Sequence, residues 1–266
     1  MNFIPLAVSI KNSVKLFCNG NIINRHLAFY ACRVYVPKLT LQKPAFCKYF
    51  SKLSHQSEEK GNPKHSSCNG YIEASDNETL DVVSKNVLIY PDFISAEEEK
   101  FILDEIEPYM KRLRYEVDHW DDAIHGYKET ERKQWNTRNS AILERVKQLA
   151  FPKNIPQLAY VHVLELSKEG YIKPHIDAVR FCGNTIAGMN LLSAAVMKFV
   201  HETDKNKSAK VLLKQRSLYI MKDAVRYHYT HEILPEKESY FRGEVVPRDR
   251  RISVICRNEP DPSLNS

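Results

Sequence analysis

Downstream of Pro156 the apolar pattern changes its period, and that change limits the folds open to this chain. Alternating or β-branched runs occupy residues 159–166, 185–200, 210–213, 217–221 and 251–257. Period-two alternation is what a half-buried strand requires, because successive side chains point to opposite faces. Upstream the period is helical. Ser95-Ala-Glu-Glu98 reads as a capping box, in which the Ser95 hydroxyl and the Glu98 carboxylate each satisfy an open backbone N–H. Phe101, Ile102, Ile106 and Met110 follow near helical spacing, behind glutamates that suit the positive end of a helix dipole. A second stripe, Ile142, Leu143, Val146, Leu149 and Ala150, is closed by Pro152 and Pro156. Val87-Leu-Ile-Tyr reads as a short strand at the start of this region. Short strands after two helices predict an α+β domain dominated by antiparallel sheet. Residues 115–139 are highly charged and poorly periodic, and are expected to form a long loop or lid.

Charge divides the chain before this domain begins. Residues 1–57 carry eight Lys or Arg and no Asp or Glu, the first acid being Glu58. The chain's 39 basic residues less those eight leave 31, against 33 acidic ones. The body is thus slightly acidic, and the formal +6 belongs to the arm. An acid-free, hydroxyl-containing, mildly amphipathic N-terminus predicts a mitochondrial presequence over 1–57 and a matrix location. The alternative is a basic arm that binds nucleic acid or membrane. Residues 58–84, rich in Ser, Asn, Glu, Lys and Gly, are too polar to bury themselves and are expected to be a disordered linker. The folded domain is then 85–260, with a tail over 261–266. No apolar run reaches the length of a membrane span. Four of the six cysteines (Cys18, Cys32, Cys47, Cys68) precede the domain, and no C-x-x-C pair occurs. That excludes a disulfide scaffold and a cysteine-based zinc site.

Within the strand-rich half, His175-Ile-Asp177 places an imidazole and a carboxylate on alternate residues, so both point the same way. His231 returns 54 residues later, behind several strands. Two histidines and one carboxylate on one face of a metal leave the opposite face open, which is the arrangement of non-haem Fe(II) oxygenases. Such an enzyme using 2-oxoglutarate also needs a cation for a dianion, and arginine's fork fits a carboxylate. Arg251 and Arg257 bracket the strand Arg-Ile-Ser-Val-Ile-Cys-Arg with even spacing, which puts them on one face. Each residue taken alone has an ordinary structural explanation. The ordered combination is what points to a site. A second His-x-Asp, His119-Trp-Asp121, lies in the unpatterned charged stretch and lacks strand context.

At these residues the chain resembles the AlkB family of Fe(II)/2-oxoglutarate dioxygenases, whose pattern is His-x-Asp, a distant His and Arg-x5-Arg. The likeness runs from about Val87 to Asn258. It includes Gly170-Tyr-Ile-Lys-Pro-His175, Phe181-Cys-Gly-Asn-Thr-Ile-Ala-Gly188 and the approach Ser217-Leu-Tyr-Ile-Met-Lys to His231. It is strongest with the family's mitochondrial branch. The resemblance implies a double-stranded β-helix, or jelly-roll, core with supporting N-terminal helices. It implies Fe(II) on His175, Asp177 and His231. It implies that Arg251, assisted by the Tyr219 hydroxyl, holds the far carboxylate of 2-oxoglutarate, with Arg257 near the metal-bound end. It further implies a role in regulated necrotic death and fatty-acid metabolism. One departure bears on substrate. Nucleic-acid-repairing members carry Asn-x-Tyr on the strand before His-x-Asp, where this chain has Leu164-Glu165-Leu166.

Three readings follow. One is a monomeric oxygenase that uses 2-oxoglutarate and O2 on a protein or small molecule. The second is an RNA or DNA demethylase, for which the acidic body is unfavourable, although Lys111-Arg112-Leu-Arg114 and Arg248-Asp-Arg250-Arg251 are locally basic. The third is a non-catalytic jelly-roll interaction protein.

Overall fold

The computed structural model describes residues 70–118 and 122–262. The arm, residues 58–69 of the expected linker, His119-Trp-Asp121 and residues 263–266 lie outside the described residues.

The body opens with β1 (Ile72–Ala74), α1 (Asn77–Asn86), β2 (Val87–Tyr90) and α2 (Ala96–Met110). A hairpin, β3 (Glu116–Asp118) and β4 (Ile124–Arg132), leads into α3 (Thr137–Ala150). Strands β5 (Val161–His175), β6 (Thr185–Leu191), β7 (Ala195–His201), β8 (Ser208–Leu213) and β9 (Ser217–Lys222) follow. One and a half turns of helix, α4 (Asp223–His228), precede β10 (Tyr229–Ile233). The small pair β11 (Tyr240–Phe241) and β12 (Glu244–Val245) precedes the last strand, β13 (Arg251–Arg257).

All the strand pairings are antiparallel, in the order β1-β8-β7-β10-β5-β13-β6-β9-β2, with β4 on the other edge of β5 and β3 beside it. The sheet curls on itself. Ile72 from one end of that order and Val87 and Ile89 from the other end share an apolar cluster with Leu166, Phe199, Val211 and Tyr229. Strand β5 joins the two halves: its first part pairs with β13 (Leu166↔Arg251) and its last part with β10 (His175↔His231). This is the expected α+β jelly-roll core. Helices α2 and α3 cover its outer face. Ile102, Ile106 and Met110 of α2 and Ile142, Leu143 and Val146 of α3 pack on Val163, Met189, Leu218, Ile220 and Val254. The Ser95–Glu98 capping box is present in both directions.

Three expectations change. Residues 72–84 are not linker but form β1 and most of α1. The helix is capped by Asp76, which accepts from the Thr79 N–H, and buries only Thr79 and Val83, so its composition stays polar although it is docked. Much of 115–139 is not a loop but the β3–β4 hairpin, followed by the first turn of α3 under its Asn136 cap. Gly126, at φ +61°, shifts the β4–β5 register and so breaks the alternation that would mark a strand. The apolar run 185–200 is two strands, separated at Leu192 (φ +71°), whose N–H donates to buried Glu99 of α2.

Candidate metal centre

The site forms where inward side chains of seven strands, β4, β5, β6, β7, β9, β10 and β13, converge. Along β13, Arg251, Ser253, Ile255 and Arg257 line one cavity of about 350 Å³, while Ile252, Val254 and Cys256 pack outward under the helices. Tyr219 and Met221 on β9, His162 and Leu164 on β5, and His231 and Ile233 on β10 line the same cavity. Period-two alternation thus sorts β5, β9 and β13 into a site face and a helix-facing core.

His175 ends β5 and His231 lies opposite it on β10, with ring centroids 4.2 Å apart. Asp177, two residues beyond His175, turns back between them. Its Oδ1 lies 3.3 Å from His175 Nε2 and 4.0 Å from His231 Nε2. One ligand atom from each residue lies within 4.8 Å of the others. His175 Nδ1 is 2.9 Å from the Lys173 carbonyl, which can only accept, so the proton sits on Nδ1 and the Nε2 lone pair is presented to the site. Burial pushes His231 down to about 3, with neighbouring His175 acting in the same direction, so the ring is neutral at physiological pH. Burial tends to raise Asp177, but its contacts with the neighbouring imidazoles and the guanidinium of Arg257 outweigh it and hold the carboxyl well below its ordinary range. Two neutral imidazoles and an ionised carboxylate, with the buried Nδ1 of His231 lacking a hydrogen-bond partner among the described residues, suit a divalent first-row metal.

The second half of the cavity holds a buried cation. Arg251 is 1% exposed, and its Nε donates to Asn190 Oδ1 at 2.5 Å. Among the described residues it forms no ion pair, and burial pushes it down to about 10. A guanidinium buried beside a neutral amide is left without a counter-charge among the described residues. Tyr219 stands beside it, its phenol raised by burial. The ring lies over Gly188, its register partner on β6, where an added Cβ would sit 2.5 Å from Tyr219 Cε1. Arg257 reaches the metal end, with Nε 4.0 Å from Asp177 Oδ2.

All six residues singled out in the sequence, His175, Asp177, His231, Tyr219, Arg251 and Arg257, therefore line one cavity. Asn190, Glu129 and His162 belong to the arrangement but were missed. Asn190 shares the inward parity of Ile186 on β6, which could have marked it; Glu129 was hidden by the Gly126 bulge.

Comparison with known proteins agrees with this geometry. The profile of the 2OG-Fe(II) oxygenase superfamily matches residues 86–257. The "Alpha-ketoglutarate-dependent dioxygenase alkB homolog 7, mitochondrial" of Mus musculus is 47% identical over 191 residues, covering 72% of this chain and 86% of that protein. Its Bos taurus counterpart is 45% identical over 192 residues, covering 72% and 87%. "Uncharacterized protein L905" of Acanthamoeba polyphaga mimivirus is 29% identical over 177 residues, covering 64% and 83%. The chain belongs to the 2OG-Fe(II) oxygenase superfamily and, within it, to the AlkB homologues, as a dioxygenase that works with Fe(II) and 2-oxoglutarate.

Proposed function

We propose that His175, Asp177 and His231 hold the iron, that Arg251 and Tyr219 bind the far carboxylate of 2-oxoglutarate, and that Arg257 serves its metal-bound end. The enzyme so assembled is a mitochondrial dioxygenase acting on a protein or another substrate that is not nucleic acid. The observation that carries this reading is one cavity holding both the His-Asp-His cluster and a buried guanidinium that pairs with no carboxylate of the described chain.

Iron held by His175, Asp177 and His231 would supply oxygen activation coupled to decarboxylation of 2-oxoglutarate, one oxygen atom going to succinate, the other to the substrate, with release of CO2. The chain's own residues prepare that chemistry. Lys173 fixes the His175 tautomer through its carbonyl. Burial keeps His231 neutral, so it offers a lone pair rather than a proton. Arg251 offsets the charge of the diacid, in a wall where Met197, Met221 and Ile233 exclude water.

Substrate choice is read from the other end of the cavity. Ala123, Ile124, Ile172, Ile176, Ala178 and Phe181 line it, and Leu164 and Leu166 point inward where nucleic-acid-repairing relatives carry Asn and Tyr. A slightly acidic body also disfavours a polyphosphate ligand. The acid-free arm and the word "mitochondrial" in the names of both mammalian relatives support the matrix as its location. Regulated necrotic death and fatty-acid metabolism, which the resemblance implies, belong to the same reading.

The test is anaerobic binding of Fe(II) and 2-oxoglutarate, followed by succinate release with mitochondrial peptides or tRNAs. Peptide-stimulated succinate supports the reading. Stimulation by tRNA alone, with binding that weakens steeply in salt, would move the enzyme to the demethylase class. His175→Ala and Asp177→Ala should abolish succinate, and full turnover by either rules out this site.

A further inference from the structure

Beside the assigned residues the cavity wall carries Glu129 on β4 and His162 on β5, and the proposed chemistry uses neither. Arg257 Nη2 lies 3.2 Å from His162 Nδ1. A guanidinium can only donate, so Nδ1 accepts and the ring proton sits on Nε2. That Nε2–H is 2.9 Å from Glu129 Oε2 and donates to it. On its other side, Arg257 directs Nε toward Asp177 Oδ2 at 4.0 Å, and among the described residues this Nε has no hydrogen-bond partner. Every link has a fixed direction. The run starts at a carboxylate 34% exposed at the cavity wall and ends at the half-buried carboxylate between the two histidines.

We propose that Glu129 and His162 are positioning residues. They orient the Arg257 guanidinium against Asp177 Oδ2 and thereby fix how that carboxylate is presented to the metal. This rests on the reading of Asp177 as a ligand. The alternative is a plain cross-strand ion pair, which at this exposure contributes little beyond stability. The two differ in what they move. Arginine's long side chain keeps one orientation only while its donors are engaged, and His162 is the one acceptor within hydrogen-bonding distance of Arg257 among the described residues. Losing that acceptor should disturb the metal's surroundings while the fold survives.

The experiment uses the full chain and its His162→Leu, His162→Gln and Glu129→Gln variants. Glutamine at 162 supplies one acceptor and one donor, so it can keep both links; leucine keeps neither. The readouts are Fe(II) affinity, the visible charge-transfer band of the anaerobic complex with Fe(II) and 2-oxoglutarate, and the melting temperature. We expect His162→Leu to weaken Fe(II) binding by about 10-fold, the lower range for partners of metal ligands, and to shift the band. His162→Gln should restore both, and Glu129→Gln should move the band in the same direction by less. Should His162→Leu not fold, Glu129→Gln carries the test, and an unmoved band there overturns the proposal. A folded His162→Leu with unchanged band and affinity also overturns it, as does failure of His162→Gln to restore either. If the unmodified chain gives no band at all, the metal assignment itself fails, an outcome distinct from a normal band that His162 does not influence.

Discussion

Gly188 and Tyr219 face each other across β6 and β9, and the tyrosine ring fills the space that any side chain on Gly188 would need. The glycine therefore shapes the Arg251 end of the cavity, although it has no side chain of its own there. Gly188→Ala should push Tyr219 away from Arg251. Overpacking of this kind costs about 1–3 kcal/mol of stability, and 2-oxoglutarate binding should weaken while Fe(II) binding persists. Calorimetric titration of each ligand separately checks the split.

Arg251, proposed to hold the diacid, is a buried charge beside a neutral amide. Arg251→Met should make the ligand-free protein more stable, by about 1–3 kcal/mol, because replacing buried charge by packed apolar surface is often stabilising. The same variant should lose the rise in melting temperature that 2-oxoglutarate gives the unmodified chain. Urea unfolding with and without the diacid reads both effects, and a less stable ligand-free variant would show that Arg251 has another counter-charge.

His231 has its folded value pushed down to about 3 from the ordinary 6.5. Between those values the unfolded chain holds a proton that the folded one does not. Stability from this group is complete above pH 6.5 and falls as the pH drops toward 3. For chelator-treated protein, lowering the pH from 7 to 5 should cost about 1–2 kcal/mol through this residue. His231→Leu should flatten that part of the pH profile. Asp177, whose folded value is also lowered, adds a loss of the same sign at lower pH.

The acid-free segment 1–57 is expected to direct import. Removing it from a fluorescent fusion should leave the fusion outside mitochondria, and unchanged import would return the segment to a general basic arm.

Legibility in the sequence followed burial. The strands that build the site are buried on both faces or alternate cleanly, so β13 and the first part of β5 could be read directly, while the continuation of β5 through Gly170 to His175 could not. Five of the six proposed ligand-binding residues came from motif spacing, and Tyr219 from the family resemblance alone. Helix α1 was not legible because it buries two side chains of ten. The β3–β4 hairpin was not legible because Gly126 shifts its register midway, which takes Glu129 out of phase with Ile124 although both line the cavity. The break between β6 and β7 was hidden because Leu192 adopts a left-handed backbone with no glycine or asparagine to announce it. Its support comes from Glu99, 93 residues earlier, a contact no local pattern contains.

Strand β5 is the one bridge between the two halves of the curled sheet, and the three proposed ligands straddle it. His175 ends that bridge, His231 lies in the half containing β7 and β8, and Asp177 begins the passage to β6 in the other. A cation held by all three would act as a clasp across the mouth of the roll. Stripping it should therefore loosen the rim first, opening amide hydrogens at the end of β5 and the start of β10 to exchange while those beneath α2 and α3 stay protected.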